Sequence, residues 1–157
     1  MAITSKMVQE LREKTGVGMM DCKRALEEAG GDMEEAVKVL RKKGMATAEK
    51  KSARAASEGR VTSYVAPGSK VGALVEINCE TDFVANTDDF LELSSSLSRQ
   101  VAENAPAGPE ALLDQPYILD GASKVRDAIV GKVAKLGENI QFRRFVRYEG
   151  DRVATYI

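Results

Sequence analysis

Two carboxylates, a hydroxyl and an aromatic ring crowd into residues 78–84, NCETDFV, directly after an apolar run. Glu80 with Asp82 is a candidate acid–base pair, but nothing adjacent in sequence sets their proton affinities apart, so the catalytic reading has little behind it. Phe83 offers a different use. One ring buries about 150–250 Å² when it enters a pocket, so a phenylalanine presented on a short loop after a strand can act as a wedge. The commoner fate of a ring in a chain with four phenylalanines is to fold back under the sheet as a core residue. The residues alone leave both open. Met19 and Met20 directly follow Gly16-Val17-Gly18; flexible, polarizable thioethers suit a docking surface, and they equally suit the filling of a small helical core. Gly16-x-Gly18 lacks the third glycine and the Lys-Ser ending of a phosphate cradle. A basic run over residues 41–54, with Lys42, Lys43, Lys50 and Lys51, could follow a nucleic-acid backbone. It has no aromatic residue to stack on bases, and a solvated helix face accounts for it better.

Composition narrows the function classes further. Lysine and arginine total 23 against 24 acidic residues, so no global field draws the chain to nucleic acid or to an anionic membrane. The chain has no histidine, which removes the usual general base near neutral pH and the commonest metal ligand. Cys22 and Cys79 lie far apart and suggest neither a disulfide framework nor a zinc site; both read as free thiols in a reducing compartment. The opening MAITSK is polar, and no apolar run approaches the roughly 20 residues of a membrane helix. The expectation is a cytoplasmic protein, or one of an organelle stroma or matrix after removal of a transit peptide. It is a partner-binding protein rather than an enzyme, with no metal.

The elements that must position these residues follow from periodicity. Met7, Val8 and Leu11 fall at helical spacing over residues 5–15, and the Gly16–Gly18 turn ends that helix. A second helix runs over 19–29 to the Gly30-Gly31 stop. Asp32 with Glu35 three residues on caps a third, which reaches Gly44. Residues 1–44 thus form a three-helix module, and the alanine- and charge-rich residues 45–58 read as a linker helix. The pattern then changes to β-branched runs at 60–65 and 71–78, a hairpin around Ala66-Pro67-Gly68. Thr87 caps a helix over 88–103, residues 104–116 are irregular, 123–136 form another helix stopped by Gly137, and 140–149 form a third strand. Residues 59–150 are therefore an α+β unit: a small antiparallel sheet covered by helices. Arg152-Val153-Ala154-Thr155-Tyr156-Ile157 resembles Arg60-Val61-Thr62-Ser63-Tyr64-Val65. Residues 151–157 read as the start of a second, missing subdomain, and the chain as truncated or unusually short.

LREKTGVGMMDCKRALEEAGGDMEEAVKVLRKKG, EINCETDFVAN and KLGENIQFRRF, in this order and spacing, resemble bacterial-type elongation factor Ts over almost the whole chain. The resemblance implies that the three helices are a ubiquitin-associated-like module and that the α+β part is the first of two similar core subdomains. It implies guanine-nucleotide exchange on elongation factor Tu, in its GDP-bound and nucleotide-free forms. No covalent chemistry, no cofactor and no direct nucleotide binding by this chain are involved. Partner contacts carry over to Arg12, Met19 and Met20 in the helical module, to Asp82 and Phe83 in the core loop, and by a looser match to Leu136 and Gly137. In this picture Phe83 wedges between helices of the GTPase near its magnesium site. Short members of the family recover contact area by dimerising, so a homodimer is one expectation. A helical adaptor that binds RNA or protein without exchange activity is the alternative.

Overall fold

The computed structural model describes residues 2–156, so Met1 of the polar opening stretch and Ile157 of the repeat lie outside it. Helix α1 (Ser5–Thr15) begins at Thr4, whose hydroxyl accepts the Met7 N–H, and ends at Gly16 in the left-handed region. Helix α2 (Met19–Glu28) follows at once, and α3 (Met33–Lys51) starts where the Asp32 carboxylate accepts the Glu35 N–H at 2.8 Å. Val8, Leu11, Cys22, Ala25, Leu26, Ala36 and Leu40 bury one cluster between these three helices.

The separate linker helix expected at 45–58 is not present. Its first half is the continuation of α3, which runs unbroken through Gly44. Gly44 is where α3 meets a later helix, α7 (Val125–Leu136): a Cβ there would lie 3.5 Å from Val130 and 3.7 Å from Ala134. The small residue lets the two helices cross closely, and packing outweighs its weak helix propensity.

Strands β1 (Glu58–Val65), β2 (Val71–Cys79) and β3 (Gln141–Glu149) form an antiparallel sheet in the order β1-β2-β3, with an irregularity between Glu76 and Ile77. Period-two alternation sends Ala73, Val75, Ile77 and Cys79 to one face. There they meet Phe90, Leu93, Leu97 and Val101 of α5 (Asp88–Asn104) and Val125, Ile129 and Val133 of α7. The architecture is α+β, with the helices on one side of the sheet. Two short helices were not expected: α4 (Asp82–Ala85), a single turn, and α6 (Pro109–Asp114), which begins with proline at the first helical position, where its missing N–H is harmless.

Residues 152–156 do not form the anticipated strand. The segment instead turns back over the hairpin, with the Val153 N–H donating to Ser69 O at 2.6 Å and the Val153 side chain seated above Gly72. Among the described residues no helix is long and apolar enough to cross a membrane.

Candidate functional site

β2 is the central strand, and its last inward residue, Cys79, is fully buried. Burial, reinforced by the nearby Glu138 carboxylate, pushes the Cys79 thiol up to about 11. The chain leaves this anchored point through Glu80 and the extended Thr81, whose hydroxyl accepts the Val84 N–H and so caps α4. Val84 and Ala85 turn into the core. A single helical turn with two consecutive residues buried must point the residue before them outward. Phe83 is accordingly 78% exposed, which removes the alternative of a ring folded under the sheet. Asp82 is exposed beside it. The Asn86 side chain donates to Asp82 O at 2.7 Å, and the Arg60 guanidinium on β1 donates to Ala85 O at 2.8 Å, so the turn is held at its far end as well.

The near end is held from another part of the chain. Gly137, in the left-handed region, stops α7, and Glu138 directly after it reaches back to the Phe83 turn. Its carboxylate accepts the Glu80 N–H at 3.1 Å, the Thr81 N–H at 3.0 Å and the Thr81 hydroxyl at 2.6 Å. In the opposite sense the Glu80 carboxylate accepts the Asn139 N–H at 2.8 Å, and Arg54 lies 3.6 Å from the same oxygen. Glu80 is thus committed to a structural bond, which counts further against an acid–base pair with Asp82. These bonds bring Asp82 and Phe83 together with the half-buried Leu136 and exposed Gly137.

Arg12, Met19 and Met20 sit elsewhere, on the helical cluster. Cys22, Ala25 and Leu26 fill the inward side of α2, which turns Met19 and Met20 outward at 47% and 63% exposure; neither fills the helical core. With Ile3, Val8 and Lys23 they line a shallow cleft. Arg12 is exposed on α1, and its carbonyl accepts the Gly16 N–H that closes the helix. The two groups are linked through α7: a Cβ at Gly16 would lie 3.6 Å from the Lys135 side chain, one residue before Leu136. The basic run is largely engaged within the molecule, with Arg41 paired to Asp127, Lys43 to Glu28 at 2.7 Å, and Lys51 donating to Gly137 O at 2.6 Å. Sequence reasoning missed Glu138 and Asn139. Gly137 signalled a turn there, but a bond between residues 57 positions apart has no local signature.

A family model described as "Elongation factor TS" matches residues 80–157. The chain is 55% identical to "Elongation factor Ts" of a Nostoc species over 146 residues, 93% of this chain and 46% of that protein. It is 50% identical to "Elongation factor Ts" of Clostridium botulinum over 157 residues, 99% of this chain and 51% of that protein. Against the protein of that name from Clostridium kluyveri it is 50% identical over 145 residues, 92% of this chain and 47% of the relative. The chain therefore spans about half the length of the curated relatives it matches.

Proposed function

The chain belongs to the elongation factor Ts family, and from that membership we propose that it is a guanine-nucleotide exchange factor for translation elongation factor Tu, acting by binding rather than by covalent chemistry. The observation that carries the reading is the exposure of Phe83 on a turn braced at both ends. A ring held in water has solvation free energy to gain by entering a partner's pocket. In this reading Phe83 enters the GTPase near its magnesium site and disturbs metal and phosphate coordination, with Asp82 as its polar companion. Leu136 and Gly137 border that contact, while Arg12, Met19 and Met20 supply a second grip on the same partner.

Linkage constrains the mechanism. If the factor weakens GDP binding by some ratio, GDP weakens factor binding by the same ratio. Exchange then runs through a short-lived ternary complex, and incoming nucleotide displaces the factor. The factor accelerates exchange in both directions, so cellular nucleotide levels set the direction.

The test is stopped-flow release of fluorescent GDP from elongation factor Tu. Wild type accelerates release over the spontaneous rate, and Phe83→Ala loses roughly tenfold or more of that acceleration, as a central aromatic anchor does in other interfaces. Full activity in Phe83→Ala excludes the wedge.

A further inference from the structure

Three stretches of chain meet beneath the Phe83 turn: the exit of α3, the end of β2 and the segment that leaves α7. Glu138 and Glu80 are bonded reciprocally, each carboxylate taking backbone N–H groups from the other's segment. Buried Asn139 extends the junction, its side-chain amide donating to Arg54 O at 2.8 Å and to Ser52 O at 3.5 Å. Gln141 donates to Ser52 O at 3.3 Å. The segment that fixes the base of the Phe83 turn therefore also fixes the end of α3, the helix that carries the helical cluster.

Nothing packs heavily on the Phe83 ring, so its direction is set by the backbone of residues 80–85. Val84 and Ala85 fix the inner side of that turn, and Arg60 the far end. At the entrance, the two N–H groups of Glu80 and Thr81 and the Thr81 hydroxyl all converge on one carboxylate. Hydrogen bonds to an ionised acceptor are among the stronger ones, and three to one group leave it little freedom. An anchor held in its bound direction before encounter avoids an ordering cost on docking.

We propose that Glu138 is a positioning residue: through its bonds to Glu80 and Thr81 it sets the direction in which Phe83 leaves the protein, with the Glu80–Asn139 bond as the counter-clamp. The inference rests on the exchange-factor reading for its consequence, but not for its geometry. Glu138 need not touch the partner to matter.

A double-mutant cycle separates this role from general loss of structure. Affinity for nucleotide-free elongation factor Tu is measured for Glu138→Ala, with Phe83 present and in a Phe83→Ala background. The expected result is at least fivefold weaker binding with Phe83 present and less than a twofold change without it. Glu138→Gln, which keeps a carbonyl oxygen for the backbone N–H groups, should stay within threefold of wild type. Equal losses in both backgrounds, or no loss with Phe83 present, overturn the proposal. If wild type shows no binding at all, the exchange-factor reading fails and amide hydrogen exchange on the free protein decides the positioning claim. Exchange at residues 81–85 at least tenfold faster in Glu138→Ala and slower again in Glu138→Gln, with α5 unchanged in both, supports it. Wild-type protection in Glu138→Ala overturns it.

Discussion

Phe83 and the Met19–Met20 pair are both exposed apolar groups, yet they are presented in opposite ways. Met19 and Met20 open a helix whose position depends on near neighbours: the Gly16 closure of α1, the Gly18 carbonyl accepting the Cys22 N–H at 3.0 Å, and a cluster drawn from α1, α2 and α3. Phe83 sits on one turn of helix that would not form alone and is held by Arg60, Glu138 and the buried end of β2. The thioether pair is compliant by chemistry, with three rotatable bonds per side chain. The ring has two, on a backbone braced at both ends. A compliant surface adapts to a partner that changes shape, whereas a braced ring forces a change on it, and the exchange activity proposed above would use both.

The strongest way to break this comparison is to remove the brace at its foundation. Gly59 pairs with Asn78 at φ +149°, and a Cβ there would lie 2.1 Å from Ile77 O. Gly59→Ala must therefore separate β1 from β2 beside the Phe83 turn. The expected cost is about 3 kcal/mol or more, read as a melting temperature lower by roughly 6–12 °C. A melting temperature within two degrees or so of wild type contradicts that geometry. A smaller change sharpens the contrast between the two proposed anchors, one rigid and one compliant. Phe83→Leu should weaken binding to nucleotide-free elongation factor Tu by about tenfold, because a branched aliphatic cannot replace the ring's length and flat faces. Met20→Leu should cost less than about threefold, since the swap nearly conserves volume on an adaptable surface. Equal losses at the two positions would erase the distinction.

The same contrast decides what was readable from the sequence. The α1–α2–α3 cluster was legible because caps, glycine turns and 3.6-residue spacing are local signals, and Gly16 and Asp32 act as those signals imply. The hairpin and the α+β class were legible from alternation and turn residues. The boundary at residue 45 misled, because the change from large apolar residues to alanine and charge looks like a new element when the partner helix α7 is not in view. The exposure of Phe83, Met19 and Met20 was open in the sequence and depends on which neighbours are buried. For Phe83 those are Val84 and Ala85, two small residues whose inward direction is set by a cap at Thr81. The Glu138 clamp was invisible, since its register depends on how β2 and the end of α7 pack.

Asp89 gives the smallest expected effect and tests the tie between the two regions. It lies in the first turn of α5 and holds Lys132 at 2.8 Å and Lys135 at 2.9 Å on α7, the same Lys135 whose stem lies against the Gly16 turn before Met19. The hydrogen bond from Lys132, with that from Lys135, holds the Asp89 carboxyl below its ordinary 3.8 against the opposing effect of burial. A carboxyl whose folded pKa is depressed contributes stability that is fully present above the unfolded value and is lost as pH falls through the folded one. Asp89→Asn should therefore lower stability by about 1 kcal/mol at pH 7, a modest figure because the pair is partly exposed and Lys132 keeps Glu92 at 3.0 Å. In urea titrations the gap from wild type should narrow below about pH 4. A gap that stays constant through the acid range would mean that the asparagine disturbs packing, and that the charge on Asp89 does not hold α7 between the Met19–Met20 and Phe83 regions.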